Sequence, residues 1–153
     1  MTDPAKPTLI GINHVALEVG DIDAALEFYG RYFAFTLRGR SERMAFIDLG
    51  DQFLALSKTD TPDRDADRHF GLVVDDREGL RARLAADGVE IVSERRLDFL
   101  DPWGNRIEIV PYADIQFLKD RNVLAHLGAE ALTKTDAARE ELADKGITAP
   151  EDA

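Results

Sequence analysis

One pattern, strand then helix then three short strands, is written twice into this 153-residue chain, and it constrains the fold more than any other feature. In the first copy, residues 9–19 alternate as a strand does, with Val15, Leu17 and Val19 on one face and Ile12, His14, Ala16 and Glu18 on the other. Gly20-Asp21 ends that run, Asp21 or Asp23 can cap a helix, and Leu26, Phe28, Tyr29 and Phe33 supply its apolar stripe. Strands are then expected near 35–40, 44–49 and 52–57, with Gly50-Asp51 as a two-residue turn between the last two. A polar loop over 58–67 precedes the second copy. There, 68–74 reads as a strand, Asp75 and Asp76 as caps, and 77–87 as a helix closed by Gly88. Strands follow near 89–93, 96–100 and 105–110. A unit repeated at this spacing cannot bury its apolar face alone, so the two copies are expected to pair.

The landmarks repeat as well. A histidine lies early in each first strand, His14 and His69, and the second copy ends in Asp101-Pro-Trp-Gly-Asn-Arg-Ile-Glu-Ile-Val. Asp101, Pro102, Gly104 and Asn105 are turn chemistry. After the turn, Ile107 and Ile109 point to a core, and Arg106, Glu108 and Val110 point to the opposite face. A carboxylate in mid-strand needs a partner, because an unpaired buried charge is costly. His14 and His69 are the candidates, and His14, His69 and Glu108 are expected to meet at one metal ion. Glu108 follows His69 by 39 positions; about the same count from His14 reaches Ala55, so three protein ligands are expected rather than four. Two histidines and one carboxylate suit Fe(II), Mn(II) or Zn(II), with Ni(II) and Co(II) as further candidates.

Composition narrows the classes. The chain has no cysteine, which excludes disulfides, thiolate catalysis and zinc-finger sites. Its net charge of −11 opposes binding to nucleic acid, whose affinity comes from Lys and Arg. No apolar run approaches the ~18 residues of a membrane span, and residues 1–7 lack the apolar region of a signal peptide. The expectation is a cytoplasmic protein that binds a small molecule, without nucleic-acid or membrane partners.

Four stretches carry a resemblance to a known family: Ile12-Asn-His-Val-Ala-Leu-Glu-Val, Ala25-Leu-Glu-Phe-Tyr, Arg68-His-Phe-Gly-Leu-Val-Val and Asp101-Pro-Trp-Gly-Asn-Arg-Ile-Glu-Ile. Over roughly residues 9–112 the chain resembles the vicinal oxygen chelate superfamily, which includes glyoxalase I, fosfomycin-resistance transferases, extradiol dioxygenases and bleomycin-resistance proteins. The resemblance implies an α+β fold of two paired βαβββ modules, about 9–57 and 68–111. They form a cup-shaped sheet around one metal site, with helices outside. It implies a single domain over 1–112 and a C-terminal helical extension over 113–153. His14, His69 and Glu108 match the family's ligand positions, while Ala55 stands where a Glu is common. That departure counts against a four-ligand isomerase. Extradiol dioxygenases need a further active-site histidine, and the one left, His126, lies outside both modules. Fosfomycin transferases have a catalytic threonine where this chain has Ala16, and a longer loop before the Asp-Pro turn.

The implied function is a metal-dependent lyase, transferase or dioxygenase acting on a small oxygen-bearing substrate chelated to the divalent ion. The alternative is a non-catalytic binding or resistance protein that uses the same cup. Arg106 is a candidate to hold an anionic substrate at the rim, and Tyr112 is a candidate proton donor. In the extension, Thr135 can cap a helix over 136–145 ended by Gly146, and Ile115, Phe117, Leu118, Val123, Leu124 and Leu127 form an apolar cluster. Such a tail serves as a lid or a dimer arm, and the arm, hence a homodimer, is the expectation.

Overall fold

The computed structural model describes residues 12, 14–50, 52–66, 68–93 and 95–152. The first module runs β1 (His14–Val19), α1 (Ile22–Tyr32), β2 (Leu37–Arg40), β3 (Met44–Asp48) and β4 (Phe53–Lys58). The second runs β5 (Phe70–Val74), α2 (Arg77–Ala86), β6 (Ile91–Ser93), β7 (Asp98–Leu100) and β8 (Arg106–Pro111). Each forms a four-stranded mixed sheet in the same order, β1-β4-β3-β2 and β5-β8-β7-β6, with the first and last strands of each module parallel. The doubled pattern is therefore two copies of one βαβββ unit. Both helix caps fall where the aspartates put them: Asp21 Oδ1 accepts from Ala24 N at 2.8 Å, and Asp76 Oδ1 from Gly79 N at 2.8 Å.

Register gives the internal symmetry an atomic form. Ala16 pairs with Ala55, and Gly71 pairs with Glu108. Ala16 and Gly71 each stand two residues after their module's histidine, so Ala55 occupies in the first sheet the place that Glu108 holds in the second.

One face of each sheet enters a shared core. Leu17, Val19, Leu54, Leu56, Ile107 and Ile109 are buried there with Tyr29, Leu84 and Phe99. The rings of Phe28 in α1 and of Phe33 just after it lie 6.4 and 6.5 Å from that of Phe99 in the second sheet. The Asp101 turn ties the modules together. Asp101 Oδ2 accepts from Tyr29 Oη at 2.9 Å and Asn105 Nδ2 at 2.7 Å, and Oδ1 accepts from the backbone of Trp103 and Asn105. Asn105 Nδ2 also donates to the Glu18 carbonyl at 2.8 Å, in the first module. Gly104 has φ +87°, and a Cβ there would lie 2.8 Å from the Arg64 backbone, so the turn requires glycine. The helices and this turn occupy the core side. His14, Ala16 and Glu18, and Arg106, Glu108 and Val110, lie on the faces turned away from it.

The extension folds back on its own chain. It holds α3 (Arg121–His126), formed within the expected apolar cluster, and α4 (Asp136–Ala143). Val123 of α3 and Leu127, just after it, cover Gly50 at the β3–β4 turn, and the Thr135 N–H donates to the Ala113 carbonyl at 2.9 Å. Lys134, 4% exposed, anchors it: the ammonium donates to the carbonyls of Tyr112, Ile115 and Phe117 and lies 3.4 Å from the Tyr112 ring centroid.

Burial lowers the Lys134 pKa from 10.5 to about 8. Below that pH the group is charged in folded and unfolded chains alike. Between about 8 and 10.5 the unfolded chain binds the extra proton, so the unfolding free energy gains a contribution that rises with pH. Urea unfolding of wild type and Lys134→Met across this window is expected to show a stability difference that moves in favour of the wild type as pH rises. A difference independent of pH would mean that the folded and unfolded lysines titrate alike.

Candidate metal centre

Within one chain the structure brings together two of the three expected ligands. His69 Nε2 lies 3.3 Å from Glu108 Oε2, with the side chains 34% and 22% exposed. Glu108 is aimed by β8, whose alternation sinks Ile107 and Ile109 into the core and leaves Glu108 on the open face. His69 sits one residue before β5 rather than inside it. The ladder begins at Phe70 opposite Ile107, and the next N–H along β8, that of Arg106, goes to Asp65 Oδ2 at 3.2 Å. Arg96 Nε approaches the other oxygen of Glu108 at 4.0 Å.

His14 lies elsewhere. It is stacked on Phe53, with centroids 4.7 Å apart and planes within 8°. Phe46 meets Phe53 edge-on at 5.6 Å, and the Arg38 guanidinium sits 4.8 Å from the Phe53 centroid. Among the described residues of the chain, no group of three or more His, Asp or Glu side chains is placed to hold an ion. Among the described residues, a single chain therefore does not bring all three expected ligands together. The reason is the shared core: both sheets spend their apolar faces on it, which turns the two histidine-bearing faces outward on different sheets.

The remaining candidates have other partners. Arg106, expected to hold a substrate anion, directs Nε and Nη2 to Asp98 Oδ2 at 2.9 and 2.6 Å and Nη1 to the Ala66 carbonyl at 2.8 Å. Tyr112, expected near the metal, is buried under the Lys134 ammonium in the anchor of the extension. Burial raises its pKa. His126 pairs with Asp48 at 3.8 Å on α3. Sequence reasoning missed Asp98, Arg38 and Arg96. Only Asp98 left a trace, an acid in a short strand at an alternation opposite to the core residue Phe99.

The donor chemistry present fits a divalent ion in part. One imidazole nitrogen and one carboxylate oxygen are the donors that borderline first-row metals take, and they already touch. These two donors are two of the three expected ligands.

A model described as the Glyoxalase/Bleomycin resistance protein/Dioxygenase superfamily matches residues 11–109. Glutathione transferase FosA of Serratia marcescens is 29% identical over 113 residues, 66% of this chain and 80% of that protein. The solved structure of a possible glyoxalase from Bacillus cereus is 31% identical; the match covers 67% of this chain and 99% of that one, with a TM-score of 0.54. The fosfomycin resistance protein FosX of Listeria monocytogenes is 18% identical, with 68% and 94% covered and a TM-score of 0.59. A variant of FosX was solved with Mn(II) and 1S,2S-dihydroxypropylphosphonic acid.

Proposed function

The chain belongs to the glyoxalase/bleomycin resistance protein/dioxygenase superfamily, and from that membership we propose that it is a metal-dependent enzyme of the cytoplasm whose site is completed between two copies. His69 and Glu108 of one copy and His14 of the partner subunit would hold the ion. The observation that carries this reading is the His69–Glu108 pair, 3.3 Å apart on an open sheet face, with the third expected ligand on an equally open face of the other sheet. A twofold dimer brings the same two faces together twice, so one interface builds two sites. Support for a divalent ion comes also from the Mn(II) bound by a FosX variant.

When bound, such an ion supplies Lewis acidity toward paired oxygens of a small substrate. The chain's own residues supply the rest. His69 orients Glu108, Phe53 fixes the plane of the His14 ring, and Phe46 and Phe53 give the cup an apolar wall that excludes water. No helix among the described residues is long and apolar enough to cross a membrane.

The test is metal content of the untagged protein beside His69→Ala and Glu108→Ala. One transition-metal ion per chain is expected in the wild type and none in either variant, with thermal unfolding unchanged in the metal-free state. A wild type that stays metal-free and gains no thermal stability from Mn(II), Fe(II), Zn(II), Ni(II) or Co(II) would leave a binding cup without metal chemistry.

A further inference from the structure

Glu108 stands in a row of charges on the open face of the second sheet. Arg106 is two residues away on the same strand, and Asp98 is its direct cross-strand neighbour in the β7–β8 register. Two residues of strand are roughly 7 Å, well within the reach of an arginine side chain. An arginine so placed would ordinarily pair with Glu108. A carboxylate whose lone pairs are engaged by a guanidinium binds a cation less well, because the strong charge-assisted bonds must first be broken.

Arg106 does not make that pair. Asp98, wholly buried, receives both Nε and Nη2 on Oδ2, at 2.9 and 2.6 Å, and the Ala66 carbonyl takes Nη1. The Arg106 side chain is only 13% exposed, so this arrangement is packed in place rather than solvated. Glu108 is left with His69 at 3.3 Å and the exposed Arg96 at 4.0 Å. Among the described residues Asp98 Oδ1 has no hydrogen-bond partner, and the carboxylate's hydrogen bonds all come from Arg106.

We infer that Asp98 is a positioning residue of the metal centre: by capturing Arg106 it keeps the guanidinium off Glu108 and the carboxylate available for an ion. This rests on the reading of Glu108 as a ligand given above. Asp98→Asn is nearly isosteric but leaves Arg106 without its side-chain counter-ion, and Glu108, two residues along the same strand, is then within the guanidinium's reach. In Asp98→Asn/Arg106→Gln no guanidinium remains to compete.

Mn(II) and Zn(II) affinity would be measured by chelator competition on the full chain for wild type, Asp98→Asn, Arg106→Gln, the double variant and Glu108→Ala. Metal-free unfolding temperatures would be recorded alongside. Asp98→Asn is expected to bind at least tenfold more weakly, the double variant within threefold of wild type, and Arg106→Gln no more weakly than wild type. Rescue in the double variant separates this role from a merely structural one, which would leave the double as weak as the single. The inference is overturned if Asp98→Asn binds like wild type, or if Arg106→Gln or the double variant loses the metal as Asp98→Asn does. Should Asp98→Asn fail to fold, Arg106→Gln and the double variant decide alone. A wild type that binds no metal would instead defeat the site reading. Wild-type binding abolished by Glu108→Ala, with Asp98→Asn unaffected, would defeat only the role given to Asp98.

Discussion

Metal-free His14→Ala dimers and metal-free Glu108→Ala dimers, unfolded together and refolded as a mixture, are expected to recover metal binding that neither has alone. The logic is geometric. If each site takes His14 from one copy and His69 with Glu108 from the other, a mixed dimer holds one site with all three ligands and one with neither His14 nor Glu108. About one ion per mixed dimer returns, because a twofold interface repeats the same residue pairing twice. If all three ligands came from a single chain, every chain in the mixture would lack one, and no recovery would occur. The effect is large: each parent variant loses a direct ligand, where loss of even a supporting partner costs roughly 10–100-fold in affinity. Size-exclusion chromatography with metal analysis of the mixed species is the measurement. Dimers without recovered metal would refute assembly between copies.

That arrangement was only half legible in the sequence. The alternation around His14 and around Glu108 correctly put each on the face opposite the core, since period-two burial is a local property. The caps Asp21 and Asp76 were legible for the same reason, and a plain count located Ala55 at the place in the first sheet that Glu108 holds in the second, as the register bears out. Which sheet faces which is not local. Identical alternation serves modules that close a cup within one chain and modules that share their helix side and leave both cups open, so residue pattern alone could not choose. The partners of Arg106 were hidden for a related reason. The strand reading placed it correctly beside Glu108, but its actual partner, Asp98, is reached across the sheet, and the Ala66 carbonyl comes from a loop 40 residues away. Lys134 carried no signal at all, because three backbone carbonyls bind it and carbonyls leave no trace in side-chain sequence.

The largest loss of stability is expected at Asp101, a residue that touches no candidate ligand. Its carboxylate accepts from the Tyr29 hydroxyl, the Asn105 amide side chain and two backbone N–H groups, and it is 4% exposed. Burial raises its pKa while those donors pull it down, and burial is the largest cause. Asp101→Ala leaves all four donors facing a cavity, and buried donors without acceptors cost about 1–3 kcal/mol each, less than additively when they share one site. A loss of roughly 4 kcal/mol is therefore expected, against about 1 kcal/mol for Tyr29→Phe, which removes a single bond and leaves the turn intact. Urea unfolding of both variants is the check, and equal losses would mean that the turn is held by something other than this carboxylate. The consequence reaches the metal. Asn105 bridges Asp101 to the Glu18 carbonyl on β1, four residues beyond His14, so the same turn that carries Glu108 into β8 also sets where β1 stands. Metal affinity measured on Asp101→Ala at a temperature where it remains folded is thus expected to fall although His14, His69 and Glu108 are all present, whereas Tyr29→Phe should keep it.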